Sequence, residues 1–88
     1  MKNRLRKILE DRIARDILTF FYRNQSSVDT VGGVSSWVQS DQKKVQSRLE
    51  KLVKAGVLEK DSMGATNGYC YTRDEKKMKI VEELIENV

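Results

Sequence analysis

Lys43, Lys44, Lys51 and Lys54, with Gln42, Gln46, Ser47 and Arg48 between them, form the stretch of this chain whose residue types and spacing point to chemistry. The chemistry is recognition rather than reaction. Lysine presents a compact positive charge with donors only, and glutamine presents both a donor and an acceptor. Donors of this kind on one face suit a polyanion whose grooves display acceptors. Lysine can reach guanine O6 and N7, and glutamine can pair with adenine N6 and N7.

One amphipathic helix positions these side chains. Asp41 is a candidate N-cap, because its carboxylate can accept the free N–H groups of the first turn. Val45, Leu49, Leu52 and Val53 recur at helical spacing and make one apolar stripe. Gly56 follows, suited to the left-handed backbone that ends a helix. Lys43, Lys44, Ser47, Lys51 and Lys54 lie opposite the stripe, with Gln46 and Arg48 on the flanks. A solvated surface helix has the same pattern, so the neighbouring elements must separate the two readings.

Residues 3–23 predict a helix with Leu9, Ile13, Ile17, Phe20 and Phe21 on one face and Ala14 beside them. Leu5 and Ile8 drift off that stripe, so residues 1–10 are either a basic tail or a helical extension that meets a partner. Thr30 is placed to cap a second helix running to about Gln39, with Val31, Val34 and Val38 on one face. Gly32 and Gly33 lower its helix propensity by roughly 1 kcal/mol each relative to alanine. Either the helix starts after them or close packing excludes side chains there. Trp37, on the flank of the stripe, is expected to be partly buried; the alternative is an exposed anchor for a partner protein.

After Gly56, Val57–Asp61 reads as a strand, Ser62–Gly68 as a loop and Tyr69–Thr72 as the return strand of a hairpin. Tyr69 and Tyr71 share a face towards the core, and Cys70 points the other way. Thr72-Arg73-Asp74-Glu75 has the form of a capping box. A last helix is expected from there to about Asn87, with Met78, Val81, Leu84, Ile85 and Val88 as its stripe.

Composition narrows the function. Hydrophobic residues make up 39% of the 88 and charged residues 34%, which predicts one small globular domain. The net charge of +4 is unevenly spread: +4 over residues 1–24, +2 over 25–60 and −2 over 61–88. The positive field therefore belongs to the first two thirds. With no histidine and one cysteine, an internal disulfide and any His-based catalytic or metal site are excluded. No cofactor and no enzymatic activity are expected, since there is no nucleophile–base set, no glycine-rich phosphate loop and no metal-ligand cluster. No apolar run approaches a membrane span, and MKNRLRKILE lacks the apolar segment of a signal peptide. A reducing cytoplasm is the expected setting.

The order helix, short step, helix, basic helix, hairpin, helix resembles a winged helix-turn-helix domain over Ile13 to Asn87. Val45–Leu58 is similar to the recognition-helix-to-wing junction of MarR- and ArsR-type bacterial and archaeal regulators. Their pattern there is aliphatic, Leu, Leu, Ala-Gly, then two aliphatics. Tyr69-x-Tyr71-Thr72 before an acidic helix start resembles the end of a wing. The resemblance implies a mainly α fold: a three-helix core, a β-hairpin wing at 57–72, and an added C-terminal helix at 73–87. Residues 41–55 would be the recognition helix of this single domain. Ser35 falls where such motifs hold a small residue, and Gln39 where many hold glycine in the turn. The loop departs from MarR-type wings in carrying neither arginine nor aspartate between Ser62 and Gly68. The metal ligands of arsenic repressors are also missing.

The expected function is sequence-specific binding of double-stranded DNA as a small transcriptional regulator. Gln42, Lys43, Lys44, Gln46 and Ser47, in the first half of the helix, are assigned to base edges. Arg48, Lys51, Lys54 and Lys60 are assigned to phosphates. A homodimer through the terminal helices is expected, because two-fold operators require two-fold proteins. The alternative is a winged-helix module for protein–protein interaction, without direct readout of DNA.

Overall fold

The computed structural model describes residues 2–63 and 66–86. The elements in order are α1 (Lys2–Ile8), α2 (Arg12–Arg23), β1 (Val28–Asp29), α3 (Val31–Val38), α4 (Gln42–Lys54), β2 (Leu58–Met63), β3 (Thr66–Tyr71) and α5 (Glu75–Glu86). Gly64, Ala65, Asn87 and Val88, to which the sequence assigned loop and helix-end positions, lie outside the described residues.

The expected helix over residues 3–23 is two helices. The Asp11 carboxylate accepts from the Ala14 N–H at 3.0 Å and caps α2. An aspartate that caps its own downstream turn favours a new helix start over continuation. The break lets α1 fold back, so Leu5 and Leu9 enter the core rather than remaining in a basic tail. Helix α2 buries Ala14, Ile17, Leu18 and Phe21, with Ile13 and Phe20 only partly covered.

Thr30 caps α3 as expected, its hydroxyl accepting from the Gly33 N–H at 3.2 Å. The helix includes both glycines, and a Cβ on Gly33 would run into the Asp29 carboxylate, which would have to move aside. Helix α3 ends on Gln39 at φ 55°, a non-glycine residue in the left-handed region. The Ser35 hydroxyl donates to the Ser40 carbonyl, and the Ser40 N–H donates to the Ser35 carbonyl at 3.2 Å. This pair closes the turn in which glycine is the commoner residue.

Helix α4 begins as read, with Asp41 Oδ2 accepting from the Lys44 N–H at 3.2 Å. It ends in a Schellman closure: Val57 N–H donates to the Leu52 carbonyl at 3.2 Å and Gly56 N–H to the Val53 carbonyl at 2.9 Å. Gly56 has the φ of 85° that this closure needs.

The three strands form an antiparallel sheet in the order β1-β3-β2. Val28 faces Cys70 across one seam and Lys60 faces Tyr69 across the other. The hairpin is longer than its apolar alternation indicated. Pairing continues through Ser62–Asn67 and Met63–Thr66, inside the segment expected to be loop.

The capping box does not form. Thr72 still donates its backbone N–H to the Val57 carbonyl at 3.1 Å, which holds it in the extended chain. The cap passes to Asp74, whose Oδ1 accepts from the N–H groups of Lys76 at 2.9 Å and Lys77 at 3.3 Å. The core gathers Leu5, Ile17, Leu18, Phe21, Val34, Val45, Leu49, Leu52, Val57, Leu58, Tyr69, Tyr71 and Val81. Every buried position of α4 belongs to it, so the opposite face of that helix is turned outward.

Candidate nucleic-acid interface

The α4 stripe fixes the helix by burying Val45, Leu49 and Leu52 completely, with Val53 at the margin. All five residues assigned to base edges, Gln42, Lys43, Lys44, Gln46 and Ser47, are exposed. They occupy the first half of the helix, beside the α3–α4 turn. Lys51 and Lys54 are exposed further along. Among the described residues, Lys43, Lys44, Lys51 and Lys54 enter no ion pair.

The other two residues assigned to phosphates are held by carboxylates. Arg48 Nε donates to Asp11 Oδ2 at 2.9 Å, with side-chain exposures of 26% and 39%. The same carboxylate caps α2, so one group ties α4 to the start of α2. The Arg48 hydrogen bond holds the Asp11 carboxyl below its ordinary range against the opposing effect of burial, helped by the Ala14 N–H and by Lys51. On the other flank of α4, Lys60 Nζ lies 3.0 Å from Glu50 Oε1. Glu50 also accepts from the Tyr69 hydroxyl at 2.9 Å. Its carboxyl is lowered by the Lys60 contact first and the Tyr69 hydrogen bond second. Tyr69 is pushed up to about 12, by burial first and then by Glu50. This triad joins α4 to both strands of the wing.

The carboxylates near α4 are therefore each occupied: Asp41 in capping, Asp11 by Arg48 and Glu50 by Lys60 and Tyr69. The Asp41 cap is local and expected; the ties of Arg48 to Asp11, 37 positions away, and of Glu50 to Tyr69, 19 positions away, and to Lys60 on the next strand are not. No local pattern signals them.

Trp37 overturns its expectation of partial burial. It is 69% exposed, with its ring centroid 5.3 Å from that of Phe20. The stripe places Val34 in the core and rotates Trp37 outward over Phe20. Tyr69 and Tyr71 are buried as expected. Cys70 is half-buried and free. Its thiol is pushed up by burial first and then by Glu59 and Asp61, the opposite of what an activated thiolate needs. Among the described residues, no group of His, Cys, Asp or Glu is placed to hold a metal ion, and no helix is long and apolar enough to cross a membrane.

No family model matches the chain, and no curated protein matches it. Solved structures do. A possible transcriptional regulator from Methanosarcina mazei Go1 superposes with a TM-score of 0.75 at 12% identity, over 97% of this chain and 76% of that one. Reduced HlyU from Vibrio cholerae N16961 superposes with a TM-score of 0.74 at 19% identity, over 96% of this chain and 84% of that one. The fold is a winged helix-turn-helix. In its terms α3 and α4 are the helix-turn-helix pair, and β2 and β3 are the wing. At these identities the likeness establishes the fold, and function must be argued from the exposed face of α4.

Proposed function

We propose that this chain binds double-stranded DNA sequence-specifically as a transcriptional regulator, with α4 in the major groove. The observation that carries the reading is the outer face of α4. Its lysines 43, 44, 51 and 54 are exposed and outside every ion pair among the described residues, while the acids around them are engaged elsewhere. Gln42, Lys43, Lys44, Gln46 and Ser47 read base edges, and Lys51 and Lys54 meet phosphates. Arg48 and Lys60 primarily orient α4 against α2 and the wing, and reach phosphate only with groups left over from those bridges. The two solved neighbours, one titled a possible transcriptional regulator, support a regulatory role by analogy. The setting is cytoplasmic and the role is binding, without catalysis.

Gel shifts over a salt series test this. Lys43→Ala weakens specific binding more than non-specific binding. Lys51→Ala weakens both alike and flattens the slope of log K against log salt by roughly 0.9. Absence of binding to any duplex at low salt overturns the reading.

The reading includes a homodimer through α1 and α5. A cleft of about 570 Å³ lies between these helices and α2, floored by Leu9, Leu84 and Ile85. Its rim carries Lys2 and Arg6 from α1 and Glu83 from α5, and Lys2 Nζ lies 2.9 Å from Glu83 Oε2 within the one chain. A two-fold axis brings the same patch to itself, so the partly covered Leu84 and Ile85 of two copies can meet across it. Light scattering should give twice the subunit mass at micromolar concentration; a single subunit mass refutes the dimer.

One observation favours the second reading, a protein-interaction module. Trp37 is exposed over Phe20 beside Arg12 and Arg23, in a cleft of about 430 Å³. Exposed Trp and Arg are the residues that anchor protein interfaces.

A further inference from the structure

A second cleft, of about 280 Å³, lies apart from the α4 face. The end of α2 and the following turn contribute Tyr22 and Gln25, and β3 contributes Tyr71. Helix α5 contributes Glu75, Met78, Lys79 and Glu82. Tyr71 is 2% exposed, and among the described residues its hydroxyl has no hydrogen-bond partner. A buried hydroxyl without a partner is uncommon enough to need a reason. Core packing explains the Tyr71 ring, for which phenylalanine would serve equally. It does not explain the oxygen.

The surroundings define what that oxygen could meet. The Tyr22 and Tyr71 rings stand edge to face, 6.4 Å apart. The Tyr22 hydroxyl donates to Glu86 Oε1 at 3.0 Å. Burial raises Tyr71 first, followed by the fields of Tyr22 and Glu82, so both groups lie near its hydroxyl end. Tyr22 is likewise raised, by burial, Glu86 and Glu82. The local field is therefore negative, and the π faces of tyrosine add to it. Lys79 is the cation within the lining.

We propose that this cleft binds a small organic ammonium ligand, a primary amine with a short alkyl stem. The ammonium donates to the Tyr71 oxygen, Glu82 and Glu75 balance its charge, and the stem lies on Met78 and the Tyr22 ring. Lys79 competes for the same carboxylates. The site does not depend on the DNA contacts proposed for α4, since none of its residues lies on that helix.

The test is a titration of the full chain, followed by two-dimensional amide NMR, with n-butylammonium chloride and, at matched ionic strength, sodium butyrate. Butylammonium gives saturable shifts centred on Tyr22, Gln25, Tyr71 and Met78, and butyrate gives none. Tyr71→Phe removes one charge-assisted hydrogen bond and weakens binding about tenfold. That variant stays folded, because it deletes an unpaired polar atom. Glu82→Gln also weakens binding, whereas Lys79→Met tightens it. This opposition separates a charge-selected site from simple apolar adsorption. Absence of saturation, equal shifts with butyrate, or unchanged affinity in Tyr71→Phe each overturns the proposal.

Discussion

The bridge between Asp11 and Arg48 yields a quantitative test of how α4 is held. Asp11 performs two separable tasks, capping α2 through the Ala14 N–H and accepting from Arg48 at 2.9 Å. Losing an N-cap costs about 1 kcal/mol. The ion pair, with side-chain exposures of 26% and 39%, stands between a surface pair and a buried one and contributes about 1 kcal/mol. Asp11→Ala should therefore destabilise by about 2 kcal/mol. Asp11→Asn keeps the cap and loses the charge, about 1 kcal/mol. Arg48→Met keeps the stem and loses the pair, again about 1 kcal/mol. The double variant Asp11→Ala with Arg48→Met should cost about 2 rather than 3 kcal/mol, a coupling of about 1 kcal/mol. Urea unfolding measures all four proteins, and each kcal/mol should move Tm by about 4–8 °C. The sign with pH follows from Asp11, whose folded pKa lies below its ordinary value of 3.8. The contribution is full above that ordinary value and fades as pH falls through the folded one. The wild type should thus lose its advantage over Asp11→Asn only in that acid range. A coupling within error of zero at neutral pH would falsify the claim that this pair orients α4.

Two further variants test the wing side and the C-terminal closure of α4. Glu50→Gln discharges the group that holds Lys60 and frees that lysine for phosphate, so non-specific DNA affinity should rise and the salt slope steepen by up to ~0.9. In the same variant Tyr69 should titrate below about 12, because the negative charge of Glu50 that helps to raise it is gone while a glutamine oxygen can still accept its hydrogen bond; an unchanged absorbance titration would refute the bridge. Gly56→Ala, at φ 85°, should destabilise by about 1–2 kcal/mol through backbone strain. A neutral effect in urea unfolding would show that the Schellman closure is dispensable.

How legible these features are in sequence follows from how local their causes are. Helix α4 could be read in full, because Asp41, the Val45–Leu49–Leu52 stripe and Gly56 act within a turn or two of one another. The break at Asp11 could not. Its carboxylate caps locally, but the second tie comes from Arg48, 37 positions away, and no glycine or proline marks the site. The Thr72 box failed for a related reason. The motif was present, yet a ladder hydrogen bond to Val57 outlasted it. The wing strands run past their alternating residues because backbone pairing needs no particular side chain. Trp37 shows the limit of periodicity: the pattern placed it on the flank of a stripe, and only the position of Phe20 decides that the flank faces out.

The charges around α4 show why the outward lysines point to a partner. Lysines displayed only for solubility would be free to pair with any nearby acid, and Asp41, Glu50 and Asp11 all lie on or beside this helix. Each is instead engaged by something other than an outward lysine of α4: a backbone N–H, Arg48, Lys60 or a tyrosine. The bridges stand on opposite flanks, one to α2 and one to the wing, so together they fix the roll of the helix about its axis. Roll is the variable that decides which side chains enter a groove. At about 1 kcal/mol each, such pairs add little to stability beside a core that fully buries Val45, Leu49 and Leu52. Their larger effect is geometric, since a few degrees of roll move Lys43 and Gln46 relative to a base edge while leaving the apolar contacts nearly intact. Breaking either bridge should therefore lower the ratio of specific to non-specific affinity more than it lowers Tm, and a loss of stability with unchanged specificity would reverse that ordering.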